Sequence, residues 1–261
     1  MLANPYEWRI RDKGSGPAIL LLHAFPYDGR MWDGQADVLA ASHRVLVPDM
    51  PGFGGAAAWP ATPPHVDAWA ADLLSGLGRL GVTKAIVAGC SLGGYLAFAL
   101  MRAAPDFLQG LALVDSRSIP DSKDRRTARL EDAERIIREG RSFFIERTRR
   151  PLDEELSAYP AARASAEKML ADASSGGLAD ALVALATRPD STPQLASIKV
   201  PAVVMRGVND PILGRDEAVG LAAAVAGAVY VEFEGAGHIP TFQRPDQVTA
   251  ALLALAARCG S

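Results

Sequence analysis

Near the middle of the chain an apolar run from Ala85 to Ala88 reads as a buried strand, and a run with helical spacing begins at Leu92. The residues at the join are Gly89-Cys90-Ser91-Leu92-Gly93, a G-x-S-x-G. A turn from strand to helix this sharp holds the serine in a strained backbone conformation and lifts its hydroxyl above the sheet edge. Gly89 and Gly93 leave room where the two elements nearly touch. The Leu92 N–H, in the first turn of the helix, points to where negative charge would develop on an attacked carbonyl. Ser91 is therefore the candidate nucleophile.

A serine hydroxyl attacks only when a base takes its proton, and the base needs an acid to fix its tautomer and stabilise its charged form. Four histidines are available. His43 precedes a strand and reads as an edge residue. His65 sits at a helix start, where capping or exposure accounts for it. His23 ends a strand and reads as structural. His238 lies in the loop Gly235-Ala236-Gly237-His238-Ile239-Pro240, whose glycines let it carry an imidazole over a sheet edge. Two aspartates fit the chain order serine, acid, histidine. Asp115 ends the run Leu111 to Val114 and is followed by Arg117, a candidate local ion-pair partner. Asp210 follows Gly207 on a longer loop, and Pro211 biases it to an extended backbone. Asp210 is the preferred acid, giving Ser91, Asp210 and His238.

The elements that carry these residues follow a strand–helix rhythm. Strands are expected at Tyr6–Arg11 (an edge strand closed by a turn at 13–17), Ala18–Leu22, Arg44–Pro48, Ala85–Ala88, Leu111–Val114, Pro201–Met205 and Val229–Phe233. Continuous apolar runs such as Ala18 to Leu22 signal strands covered on both faces. Helices are expected over residues 30–40, 65–80, from Leu92, 215–226 and 246–257. The alternation implies a parallel sheet, and Ser91, Asp210 and His238 all fall at carboxyl ends of its strands, where open α/β sheets place their active sites. The rhythm breaks after Asp115. Residues 120–195 contain no convincing strand but helical segments at 123–139, 161–173 and 178–187, the last two separated by Ser174-Ser175-Gly176-Gly177. The division expected is a core of residues 1–118 and 197–261 with a helical insertion at 119–196. Because the three candidates lie outside it, the insertion is expected to set substrate choice and not chemistry.

Composition excludes several classes. With 49% hydrophobic and 22% charged residues over 261 positions, the chain can bury a sizeable core. A net charge of −3 argues against a nucleic-acid or acidic-membrane partner. The two cysteines, Cys90 in the elbow and Cys259 near the end, do not suggest a disulfide. The first residues lack a leader pattern, and no apolar run is long enough to cross a bilayer, so a soluble cytoplasmic protein is expected. Gly52-Phe53-Gly54-Gly55 is read as a tight connection, since no phosphate-binding helix follows it. Arg147, Arg149 and Arg150 could hold an anion but read more simply as a solvated face. No metal-ligand cluster or dinucleotide fingerprint occurs, so no cofactor and no metal are expected, and the partner is a small molecule.

The sequence resembles the α/β-hydrolase superfamily over nearly its whole length. Leu22-His23-Ala24-Phe25-Pro26 is similar to that family's H-G-F-P loop, and Pro48-Asp49-Met50-Pro51-Gly52-Phe53-Gly54 to its D-x-x-G-x-G loop. Gly89 to Gly93 is similar to its nucleophile elbow, Gly207 to Asp210 to its acid loop, and Gly237-His238 to its histidine loop. The resemblance implies a mostly parallel sheet covered by helices on both faces, with a helical cap inserted after Asp115. It implies an oxyanion hole formed by the backbone N–H groups of Phe25 and Leu92, and a pocket lined from the cap, for which Phe143 and Phe144 are candidates. Ala24 departs from the pattern, which usually has glycine; a positive φ there would cost alanine about 1 kcal/mol or more. A serine nucleophile, where dehalogenase and epoxide-hydrolase relatives use aspartate, implies an acyl-enzyme route to esters, lactones or thioesters. The short cap is similar to bacterial carboxylesterases and enol-lactonases. Carbon–carbon bond hydrolases, cofactor-free perhydrolases, acyl transferases and non-turnover ligand-binding members share the same scaffold.

Overall fold

The computed structural model describes residues 6–61 and 63–260; the first five residues, read above for a leader pattern, lie outside that range. The strands are β1 (Ile10–Lys13), β2 (Ala18–Leu22), β3 (Arg44–Pro48), β4 (Ala85–Cys90), β5 (Leu108–Val114), β6 (Ala202–Gly207) and β7 (Val229–Phe233). They form one seven-stranded sheet in the order β1-β3-β2-β4-β5-β6-β7. Only β1 is antiparallel, running from Ile10 opposite Pro48 to Lys13 opposite Val45. The other pairs are parallel.

The helices are α1 (Asp33–Leu39), α2 (Val66–Arg79), α3 (Leu92–Ala103), α4 (Lys123–Glu139), α5 (Ser142–Glu155), α6 (Pro160–Asp172), α7 (Ser175–Thr187), α8 (Arg215–Ala223), α9 (Pro240–Gln243) and α10 (Pro245–Arg258). Successive strand residues serve opposite faces of the sheet. Leu20, Leu22, Val87 and Leu111 join a core with Leu73 and Leu77 of α2 and Leu96 and Leu100 of α3. Ile19, Leu21, Ile86 and Ala112 join the other core with Leu39 of α1 and Leu252 and Leu255 of α10. With both faces covered, the inner strands can be apolar at every position, each buried leucine contributing about 1.5–3 kcal/mol. Helices α4 to α7 fall between β5 and β6, and no strand lies there among the described residues. No single helix among the described residues is long and apolar enough to cross a membrane.

Several local expectations are corrected. The first strand starts at Ile10, not Tyr6, and includes Lys13. Tyr6 and Trp8 are held instead by side-chain chemistry: the Tyr6 N–H and the Trp8 indole N–H both donate to Asp72 of α2. The expected helix over 30–40 is a 3-10 turn, Gly29–Trp32, followed by α1. Asp28 caps the start of that turn by accepting the Arg30 N–H at 2.9 Å. Helix α5 has no counterpart in the expected elements; Pro151 lies inside it and masks the periodicity. Ser175, Gly176 and Gly177 are not a linker but the first turn of α7, because Ser174 caps the helix by accepting the Gly177 N–H at 2.9 Å.

Two glycines make opposite demands. Gly207, at the end of β6, packs backbone to backbone on the histidine loop, and a methyl group there would overlap the carbonyl oxygens of Gly237 and Ala236. Gly78 is an exposed helical residue of α2 with nothing near a would-be methyl group. Gly78→Ala should raise stability by about 0.5–1 kcal/mol in urea denaturation. Gly207→Ala should lower it by about 1–3 kcal/mol. A Gly207→Ala protein as stable as the parent would contradict the backbone packing described.

Candidate active site

Ser91 stands between β4 and α3 with φ 49° and ψ −109°, in the left-handed half of backbone space that non-glycine residues rarely adopt. The strain is held in place from several sides. The Ser91 N–H donates to the Val114 carbonyl at 2.9 Å, tying the elbow to the end of β5. A methyl group on Gly89 would overlap Gly93, one on Gly93 would overlap the Leu22 carbonyl, and one on Gly94 would overlap the Ser116 hydroxyl. A serine at a helix start usually spends its hydroxyl on capping. Ser91 makes no such cap bond, so the hydroxyl is not committed to α3. Leu92 is the first residue of that helix, where N–H groups lack an intrahelical acceptor.

Asp210 and His238 are brought together by the loops after β6 and β7. The Val208 N–H donates to Phe233 and the Asn209 N–H to Ala236, so the two loops run against each other. The Asp210 N–H closes a turn onto the Gly207 carbonyl. Its Oδ1 accepts the Ile212 N–H at 2.7 Å, which leaves Oδ2 directed at His238 Nδ1, 3.0 Å away. A carboxylate at Nδ1 draws the ring proton to that nitrogen and leaves the Nε2 lone pair as the base. Burial pushes the Asp210 carboxyl upward, but the hydrogen bond and charge of His238, a hydrogen bond from Asp115 and the Ile212 N–H outweigh it and hold the group below the usual carboxylate value.

Asp115 occupies the end of β5 with φ 42° and is 1% exposed. Arg117 does not pair with it, contrary to expectation; that guanidinium reaches Glu217 of α8 at 2.8 Å. Asp115 instead accepts the Gly207 N–H at 3.1 Å and faces Asp210. Burial, then the charge of Asp210 and the hydrogen bond given to it, raise the Asp115 carboxyl well above the usual range. The surroundings thus favour the protonated form of Asp115 and the charged form of Asp210. Ligand atoms of Asp115, Asp210 and His238 lie within 4.8 Å of one another, close enough to share a cation. Each of the three already has a hydrogen-bond partner without one: Asp115 at Gly207, Asp210 at Ile212, and His238 Nδ1 at Asp210.

The loop after β2 is fixed by the loop after β3. His23 is fully buried, its Nε2 accepting the Met50 N–H at 2.8 Å and its Nδ1 lying 3.1 Å from the Ala24 carbonyl. Burial pushes its pKa below the ordinary value, and the neutral ring suits those two partners. Asp49 accepts the Gly29 N–H at 2.8 Å, and the Gly52 carbonyl accepts from Ser174 at the start of α7. The glycine-rich segment is thus a structural connection, as expected. Ala24 carries no strain, because Ser91 and Asp115 are the positive-φ non-glycine residues among those described. Phe25 lies between Phe53 and Phe144, with ring centroids 6.2 and 5.7 Å away. Phe144 is buried against this loop, whereas half-buried Phe143 lies under the Arg135 guanidinium, 3.9 Å from its ring centre. Arg147 pairs with Asp132 and Arg150 with Glu154 on the exposed side of α5. His65 caps α2 by accepting the Asp67 N–H, and His43 meets the Ser42 hydroxyl at 2.8 Å.

The Asp115 proton has a consequence for stability. With its pKa raised on folding, Asp115 contributes stability that is full below about pH 3.9 and is lost as pH rises from there toward the raised folded value. Asp115→Asn can accept from Gly207 and donate to Asp210 without holding a titratable proton, and asparagine tolerates a positive φ. Urea denaturation should find the variant gaining on the parent between pH 4 and 8. A parent that gains on the variant over that range would contradict a protonated Asp115.

The sequence pattern of the Alpha/beta hydrolase family matches residues 19–252. Among solved structures, a thermophilic esterase from Thermogutta terrifontis is 34% identical with a TM-score of 0.93, over 100% of this chain and 97% of that one. The enol-lactonase from Burkholderia xenovorans is 27% identical with a TM-score of 0.87, over 97% and 98% of the two chains. A pimeloyl-[acyl-carrier protein] methyl ester esterase from Chromobacterium violaceum is 28% identical over 249 residues, 93% of this chain and 95% of that protein. Other relatives match in part: this chain spans 20% of the length of bifunctional epoxide hydrolase 2 from Sus scrofa, 31% identical over 117 residues. The family pattern takes in the elbow, the acid loop, the histidine loop and all of the parallel sheet but the first residue of β2, and the chain belongs to the alpha/beta hydrolase family.

Proposed function

We propose that this protein is a serine hydrolase that cleaves a carboxylic ester or lactone of a small molecule through an acyl-enzyme. The observation that carries the proposal is the 3.0 Å hydrogen bond between Asp210 and His238 Nδ1, taken together with a strained and uncapped serine at the elbow after β4. His238 Nε2 takes the Ser91 proton as Oγ attacks the carbonyl carbon. The Phe25 and Leu92 N–H groups receive the negative charge that forms on the carbonyl oxygen. His238 then protonates the departing alkoxide, or the ring alcohol of an opened lactone. Water, activated by the same imidazole, cleaves the acyl-serine and returns the proton to Ser91.

The nucleophile's chemistry favours acyl transfer over the reactions that the names of the epoxide hydrolase and dehalogenase relatives describe. A serine that attacked an epoxide or alkyl halide carbon would be left as an ether, which water does not cleave. A serine that attacks a carbonyl is left as an ester, which it does. The esterase from Thermogutta terrifontis, the enol-lactonase from Burkholderia xenovorans and the methyl ester esterase from Chromobacterium violaceum, each aligned along most of the chain, are named for ester and lactone cleavage, which supports the same reading. In this reading residues 119–196 act as a cap over the core at 1–118 and 197–261. Phe144, against the oxyanion loop, borders the acyl group, and Phe143 supports it from behind.

A fluorophosphonate probe should label the intact protein once, at Ser91. Ser91→Ala should abolish labelling and lower hydrolysis of a short-chain p-nitrophenyl ester by about 10⁶-fold. Undiminished labelling or hydrolysis in that variant would overturn the proposal.

A further inference from the structure

Glu155 ends α5, inside the inserted segment, yet its side chain reaches the loop that carries His238. Its Oε1 accepts the Ile239 N–H at 3.0 Å, directly after His238. The preceding N–H, of Gly237, donates to Gln243 Oε1 at 2.8 Å, and Gln243 Nε2 donates in turn to the Glu155 backbone carbonyl at 3.0 Å. The N–H groups on either side of His238 are therefore held by Glu155, one directly and one through a glutamine bonded to its backbone. Gly237 has no room for a side chain, because a methyl group there would meet the Glu155 carboxyl. A loop of glycines cannot hold a ring in one place by itself.

We propose that Glu155 is a positioning residue for His238: its carboxylate fixes the backbone on which the imidazole is mounted, and so couples the inserted helices to the base. The inference rests on the proposed role of His238. It changes the expectation that residues 120–195 act on substrate choice alone. Burial pushes the Glu155 carboxyl above its usual value, while the charge of His238 and the Ile239 N–H act against that push. A half-buried acid with an oxygen bonded to the histidine loop is poorly explained as surface solvation.

The test compares Glu155→Ala, Glu155→Asp and Glu155→Gln in the full-length protein, with circular dichroism to check folding. Glutamine keeps the reach and an acceptor oxygen for Ile239; aspartate keeps the charge but falls short by one methylene. On a short-chain p-nitrophenyl ester, kcat should fall about 10–100-fold in the alanine and aspartate variants, with KM within about threefold of the parent. Fluorophosphonate labelling should slow in parallel, since it needs the same base, and glutamine should restore both to within about fivefold. If the alanine variant does not fold, the aspartate and glutamine variants decide. Folded variants with parental kcat and labelling rates, or with KM alone altered, would overturn the inference. That failure is distinct from failure of the proposed function, in which Ser91→Ala itself would retain activity.

Discussion

The tautomer and direction of an imidazole base are set by the partner of its other nitrogen, and for His238 that partner is Asp210, hydrogen-bonded at Nδ1. Much of the carboxyl edge of the sheet is arranged around that bond. Gly207 is glycine so that the acid loop can lie backbone to backbone on the histidine loop. The Ile212 N–H occupies one Asp210 oxygen and leaves the other for the ring. Asp115, Glu155 and Gln243 each act at one remove, on the charge of Asp210 or on the backbone around His238.

Two carboxyl groups side by side in a buried site cannot both be charged at ordinary pH. The surroundings decide which one keeps the proton. Asp210 meets an imidazole N–H and the Ile212 N–H, whereas Asp115 meets the Gly207 N–H in a more deeply buried position. Those surroundings push the Asp115 carboxyl up and hold the Asp210 carboxyl down, which favours the charged form of the group that faces His238.

The parallel sheet and the elbow were legible in the sequence because their signals are local. Apolar runs such as Ala18–Leu22 mark doubly covered strands, and G-x-S-x-G at a strand–helix join marks one backbone shape. His238 and Asp210 were legible because glycines precede both and both follow strands. Other features escaped because their causes are distant in the chain. The ion pair expected between Asp115 and Arg117 failed because Glu217 lies on an element a hundred residues further on. Helix α5 was hidden by Pro151, and nothing local distinguishes Glu155 from the exposed acids around it. Its meaning comes only from the histidine loop it meets across 84 residues of sequence.

The central claim is that Asp210, and not its buried neighbour, orients the base. Turnover of one p-nitrophenyl ester by Asp210→Asn and Asp115→Asn, both checked for native circular dichroism, tests it directly. The account predicts a loss approaching 10⁴-fold for Asp210→Asn, roughly what a related triad loses with its orienting carboxylate, and a loss within about tenfold for Asp115→Asn. The reverse ranking in folded proteins would move the acid to Asp115 and contradict the account.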